Sequence, residues 1–212
     1  YLFPVLAGTI WFLTLASMLS TWIVRGRPRY KELTIREHNS FISDIGAFQL
    51  KPVFLIGGIL TAFFFTSTMV VVHLSRYDER MYSMQMQDMA WKRWVSAVAM
   101  SSGIVAGLGL ILLTIFDTFR FHQEHAVLLL VCFVGLVSCM LLTVVVYFDQ
   151  MWNHLSPSRR LRAYCLISTA IVAVDFVLGV AFYTLLQLSF WRTSGILEWV
   201  MAFTGAFYLW TF

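Results

Sequence analysis

The chain has little charge. Only 12% of its 212 residues are Asp, Glu, Lys or Arg, where a soluble domain carries roughly 25%. Half the usual charge cannot wet a globule of this size, which excludes a soluble enzyme domain, a disordered tail and a coiled coil. Cysteine is also sparse: Cys132, Cys139 and Cys165 are the three present, all inside apolar stretches. A disulfide framework needs an even number in exposed loops, so these read as small buried hydrophobes. The chain further lacks basic runs interleaved with exposed aromatics, so nucleic acid is no partner. Its net charge of +4 suits contact with anionic lipid headgroups instead. No charged region precedes the first apolar stretch, Tyr1–Trp22, and no small-residue cleavage site follows it. That stretch therefore reads as a span and not as a signal peptide.

What the chain does have is long apolar runs, and mean hydropathy is +0.77. A bilayer core needs about 20 apolar residues per helix, so the intervals between charges mark the spans. They fall at about 1–24, 52–75, 94–116, 125–148, 163–191 and 195–212. The expected fold is all-α, one six-helix transmembrane bundle over 1–212. Runs such as Phe63-Phe64-Phe65 and Val144-Val145-Val146 lack the period-two alternation of a β-barrel. Lys51-Pro52 opens the second span, where the missing proline N–H costs little. Ser156-Pro157-Ser158 marks a turn. Trp11, Trp22, Trp94, Trp152, Trp191 and Trp199, with Tyr30, Tyr77, Tyr147 and Tyr164, suggest aromatic belts at the two interfaces. Both ends of the chain lie in apolar stretches, so native tails beyond them are expected.

Charge alone orients the bundle weakly. The odd-numbered connections hold Arg25, Arg27, Arg29, Lys31, Arg36, Lys51, Arg120 and Arg192, and the even-numbered ones Arg76, Arg80, Lys92, Arg93, Arg159, Arg160 and Arg162. That balance decides nothing under the positive-inside rule. The cluster Arg159, Arg160 and Arg162 favours the even side as cytoplasmic and as the site of headgroup contact.

Asp175 is the one acid deep in a span. Such a residue is by default a functional candidate facing the bundle interior; the alternative is a protonated carboxyl bonded to a neighbouring helix. Ser168, Ile171, Gly179 and Phe182 share its face. On the odd side gather His38, Ser40, Ser43, Asp44, Asp117, His122, Glu124, His125 and Glu198. Two histidines three apart beside carboxylates suit a metal or an acid–base pair, but solvated loop residues and helix caps fit the same pattern. No catalytic or metal-binding motif is present. No cofactor is implied, and no residue is assigned a catalytic role. Gly103 and Gly107, with Ala97 and Ser101, permit close helix approach, within the bundle or at a dimer face. His73 reads as an interfacial histidine, and Met81–Met89 as a loop or a short amphipathic helix.

Phe41-Ile42-Ser43-Asp44-Ile45-Gly46-Ala47, followed by Leu50-Lys51-Pro52-Val53-Phe54, resembles the Frag/DRAM/Sfk family of six-span proteins. Ile115-Phe116-Asp117-Thr118 with His122 and His125, and Glu198-Trp199 through Phe207-Tyr208, carry the likeness further. The wording is most similar to the fungal Sfk-type branch, proteins found as suppressors of a phosphatidylinositol 4-kinase defect. The resemblance implies cytoplasmic termini and an outer or luminal face for the Ser43–Gly46 segment. Ser43, Asp44, Gly46, Asp117, His122, His125 and Glu198 then form the family-matching luminal group. Asp44 is expected to cap the turn into the second span, and Gly46 to supply a backbone conformation that other residues resist.

Two functions follow. The first is a non-enzymatic plasma-membrane regulator or scaffold, recruiting a phosphoinositide kinase and organising phospholipid. Its partners are membrane lipids, including anionic phosphoinositides, and a lipid kinase complex or another membrane protein. The alternative is a lipid-remodelling enzyme or accessory of the GPI-anchor type with a luminal Asp/His site. An endomembrane or vacuolar/lysosomal location is the alternative to the plasma membrane.

Overall fold

The computed structural model describes residues 2–28, 41–76, 90–152 and 159–211, with backbone alone at 76, 90, 148–152 and 159–161. The helices are α1 (Leu2–Val24), α2 (Ile42–Ile45), α3 (Lys51–Arg76), α4 (Ala90–Ile115), α5 (His122–Trp152), α6 (Arg159–Gln187) and α7 (Trp191–Leu209). His38, Ser40, the Met81–Met89 segment, and the turn at Ser156-Pro157-Ser158 lie outside the described residues.

Five helices are long and apolar enough to cross a membrane: Leu2–Val24, Lys51–Ser75, Trp91–Ile115, His122–Tyr147 and Arg162–Gln187. At 1.5 Å per residue each exceeds the roughly 30 Å of a hydrocarbon core. The sixth expected span corresponds to α7, of 19 residues. Arg192 and Glu198 lie in its first half, and it falls short of the apolarity of the other five.

Each long helix packs on its neighbours in chain order, and α7 returns to α1. The result is a closed ring of six helices. Ala7, Phe65, Met69, Ala106, Cys139 and Leu209 fill its centre. Glycines on α4 let the ring close tightly. A Cβ on Gly103 would sit 2.9 Å from the Met69 side chain of α3 and 3.1 Å from the Cys139 sulfur of α5, and one on Gly107 would strike Thr66 of α3. Both glycines therefore serve packing within the bundle. Cys132 and Cys139 are buried, Cys165 is half-buried, and all three are free thiols.

Two helix ends close through the same left-handed turn. After α1 the chain reverses through Gly26 at φ 76°, with Arg27 N–H donating to Trp22 C=O and Gly26 N–H to Ile23 C=O, both 3.0 Å. After α6 the same pairing recurs at Phe190→Leu185, 2.9 Å, and Ser189→Leu186, 3.2 Å. Ser189 there holds φ 63°, a position that usually takes glycine. The break therefore falls at 188–190, and Trp191 starts α7 rather than ending the expected span 163–191.

The aromatic-belt reading also needs correction at two positions. Trp11 lies mid-way along α1 and donates its indole N–H to Ala202 C=O of α7 at 3.0 Å. Trp199 is buried among residues of α1, α2 and α3. By contrast, Trp94 is 75% exposed, as a membrane-interface residue should be.

Candidate functional site

The connections α1–α3, α4–α5 and α6–α7 meet at one end of the ring, the odd face. Ile42 and Ile45 place α2 there as a plug, packed with Leu15 and Met18 of α1, Phe54 of α3 and Trp199 of α7. Leu15 and Met18 lie six and more residues before the end of α1, so α2 reaches roughly 9 Å or more below that end. Hydrophobic burial inserts the motif, and its polar groups go in with it.

Asp44 is 1% exposed. It is the third residue of α2, whose N-cap is Phe41. Glu198 on α7 accepts the N–H of Ile42 at 2.8 Å. The first N–H groups of a helix have no internal partner, and a side-chain oxygen can take that place. Asp44 and Glu198 lie near enough to act on each other electrostatically. Ser43 beside them is half-buried.

Gly46 is buried with φ −76° and ψ −5°, ordinary right-handed geometry. Its expected conformational role is therefore wrong. A Cβ at this position would lie 2.7 Å from the Phe54 ring. Glycine is required by space, because the aromatic ring of α3 lies flush against the turn.

Asp117 forms the second half of the site. Its Oδ2 is 2.9 Å from Lys51 Nζ at the start of α3. Its Oδ1 accepts the N–H groups of Arg120, at 2.9 Å, and Phe119, at 3.2 Å. Burial opposes its charge, but the Lys51 hydrogen bond, the Arg120 N–H, the Lys51 charge and the Phe119 N–H outweigh it. Together they hold the carboxyl below the usual carboxylate range. Phe48 and Phe119 pack alongside with ring centroids 4.4 Å apart and planes tilted by 51°. Asp117 thus fastens the first connection to the third.

The two histidines diverge. His125 is 5% exposed, and its Nδ1 lies 2.7 Å from the Phe116 carbonyl. A carbonyl only accepts, so Nδ1 carries the proton. His122 and Glu124 are exposed in the first turn of α5. Among the described residues no group of three or more His, Cys, Asp or Glu is arranged to hold a metal ion. The odd face therefore holds two braces, Asp44/Glu198 with Ile42 and Lys51/Asp117, with His125 bonded to the carbonyl next to Asp117.

Asp175 lies elsewhere, between α6 and α7, with the Thr204 hydroxyl hydrogen-bonded to its Oδ1. Val172, Gly179 and Phe182 are buried on the same side of α6. At the opposite, even end of the ring, His73 Nδ1 meets Ser96 Oγ at 2.6 Å, which makes His73 a link between α3 and α4. Arg162 is half-buried near the start of α6, and Arg159 and Arg160 belong to the same first turn. Sequence reasoning missed Lys51, Thr204 and Ser96 as partners. Only Lys51, a cation at a span boundary, carried a signal.

A ring of long apolar helices with buried polar braces defines a polytopic α-helical membrane protein. The chain belongs to the Frag1/DRAM/Sfk1 family: the family model for the Frag1/DRAM/Sfk1/Cwh43P N-terminal domain matches residues 1–212, its whole length. No curated protein and no solved structure matches it significantly.

Proposed function

We propose that this protein is a non-enzymatic regulator of the fungal Sfk type. It crosses the plasma membrane six times, α7 included, with both termini cytoplasmic. It recruits or stabilises a phosphoinositide-kinase assembly and organises phospholipid between the leaflets. The observation that carries this reading is the even-face start of α6, where Arg159, Arg160 and Arg162 share one helical turn. Each basic residue near an anionic surface contributes about 1 kcal/mol, and the positive end of the helix dipole adds to the attraction. The luminal lipid-remodelling alternative has less support, because Asp117 and His125 are engaged in bracing the chain.

The test is co-sedimentation of the detergent-solubilised protein with vesicles containing phosphatidylinositol 4-phosphate. Replacing all three arginines with Gln should weaken binding by tenfold or more, from about 3 kcal/mol shared by three charges. Unchanged binding would remove the headgroup role.

A further inference from the structure

The His73–Ser96 pair borders a small cavity at the even end of the ring, set between α3, α4 and α5. Thr143 and Tyr147 of α5 supply its other polar groups, while Met69 and Met100 are among its apolar lining. Its volume is about 20 Å³. A cavity needs roughly 10–15 Å³ on this measure to hold one water, so this one accommodates a single oxygen-sized group. A phosphate does not fit.

The polar lining continues past the cavity. The Tyr208 hydroxyl of α7 is within reach of the Thr143 and Ser168 hydroxyls, the latter on α6. Five helices thus contribute hydroxyl or imidazole groups to one region of the even end. Apolar cavities stay dry, whereas those offering two to four polar partners hold water. The Thr143 hydroxyl donates to the Cys139 carbonyl at 2.7 Å and can still accept, while the Ser96 and Tyr147 hydroxyls can each both donate and accept.

We propose that this cavity is a binding site for one hydroxyl-sized oxygen that bridges His73–Ser96 to Thr143 and Tyr147. Two sources offer that chemistry: a water molecule, or the hydroxyl of a neutral lipid such as a diacylglycerol, entering from the headgroup region. The occupant ties the end of α5 to the His73–Ser96 link between α3 and α4. The cavity is lined by α3, α4 and α5, and its existence does not depend on the role proposed for the arginines of α6.

The experiment places the ¹⁵N-histidine-labelled protein in phosphatidylcholine nanodiscs, with and without dioleoylglycerol, and records magnetisation transfer to the His73 ring. Transfer from water in both membranes identifies water as the occupant. Transfer from glycerol protons, displacing the water signal when dioleoylglycerol is present, identifies the lipid hydroxyl. Thr143→Val, which keeps the shape and removes one hydroxyl, should reduce either signal several-fold, and Tyr147→Phe should do the same independently. The proposal is overturned if the wild-type ring contacts neither source, or if both variants leave the signal unchanged.

Discussion

Glu198 and Ile42 are 156 residues apart in the chain, and the carboxylate of one accepts the backbone N–H of the other at 2.8 Å. This hydrogen bond seats the short helix α2 against α7, beside Asp44. Two buried acids so close repel when both are ionised, so the acceptor matters here and its charge does not. Glu198→Gln retains an oxygen for the Ile42 N–H and should leave thermal stability unchanged or raised. Glu198→Leu orphans a buried donor and should cost about 1–3 kcal/mol. Equal melting temperatures for the two variants would refute this account.

Lys51 and Asp117 form the brace between the first and third connections. A double-mutant cycle with Lys51→Met and Asp117→Asn should return a coupling of about 1 kcal/mol. Its pH dependence has a definite sign. The Asp117 carboxyl titrates lower in the folded protein than its ordinary value of 3.8. Its contribution is therefore complete above the unfolded value and lost as pH falls through the folded one. Melting curves should show this loss below pH 3.8 in the wild type, and Asp117→Asn should lack that increment.

Gly46 is required by the Phe54 ring, 2.7 Å from where its Cβ would be. Gly46→Ala should destabilise by about 1–3 kcal/mol through overpacking. Phe54→Leu in the same chain should recover part of that loss by vacating the ring position. Failure of the second substitution to help would point to a backbone cause instead.

Asp175 and Thr204 join α6 to α7. Asp175→Asn preserves a hydrogen-bonding partner for the hydroxyl and should change stability by less than about 1 kcal/mol, whereas Asp175→Val should cost about 1–3 kcal/mol. Thermal unfolding in detergent measures both. A neutral Asp175→Val would show that the pair contributes nothing to holding the two helices.

How much was legible follows from the kind of signal each feature left. The spacing of charges located the long helices, because a charge in hydrocarbon is costly enough to end a span. The charge at Arg25 marked the end of α1, but α6 ends through Ser189 in the left-handed conformation with no charge beside it to mark the break. The Ser43–Gly46 motif was visible as a motif, while the reason for its glycine was not. That reason is a ring eight residues onward, brought back by the turn into α3. His122 and His125 looked equivalent at three-residue spacing, yet one is exposed and the other buried against Phe116. Helical rotation separates them, and the packing of neighbouring helices decides which side is covered.

By itself the sequence determined the class: an apolar, charge-poor chain whose backbone hydrogen bonds must be satisfied within helices if it is to enter a membrane. Only the tertiary structure decided which polar residues meet. Asp44 with Glu198, Lys51 with Asp117, Asp175 with Thr204 and His73 with Ser96 are each drawn from different helices or connections. The closure of α7 onto α1, and the order of helices around the ring, bring these partners together. A hydrogen bond acts over about 3 Å, and no periodicity along the chain specifies distances that short between segments so far apart.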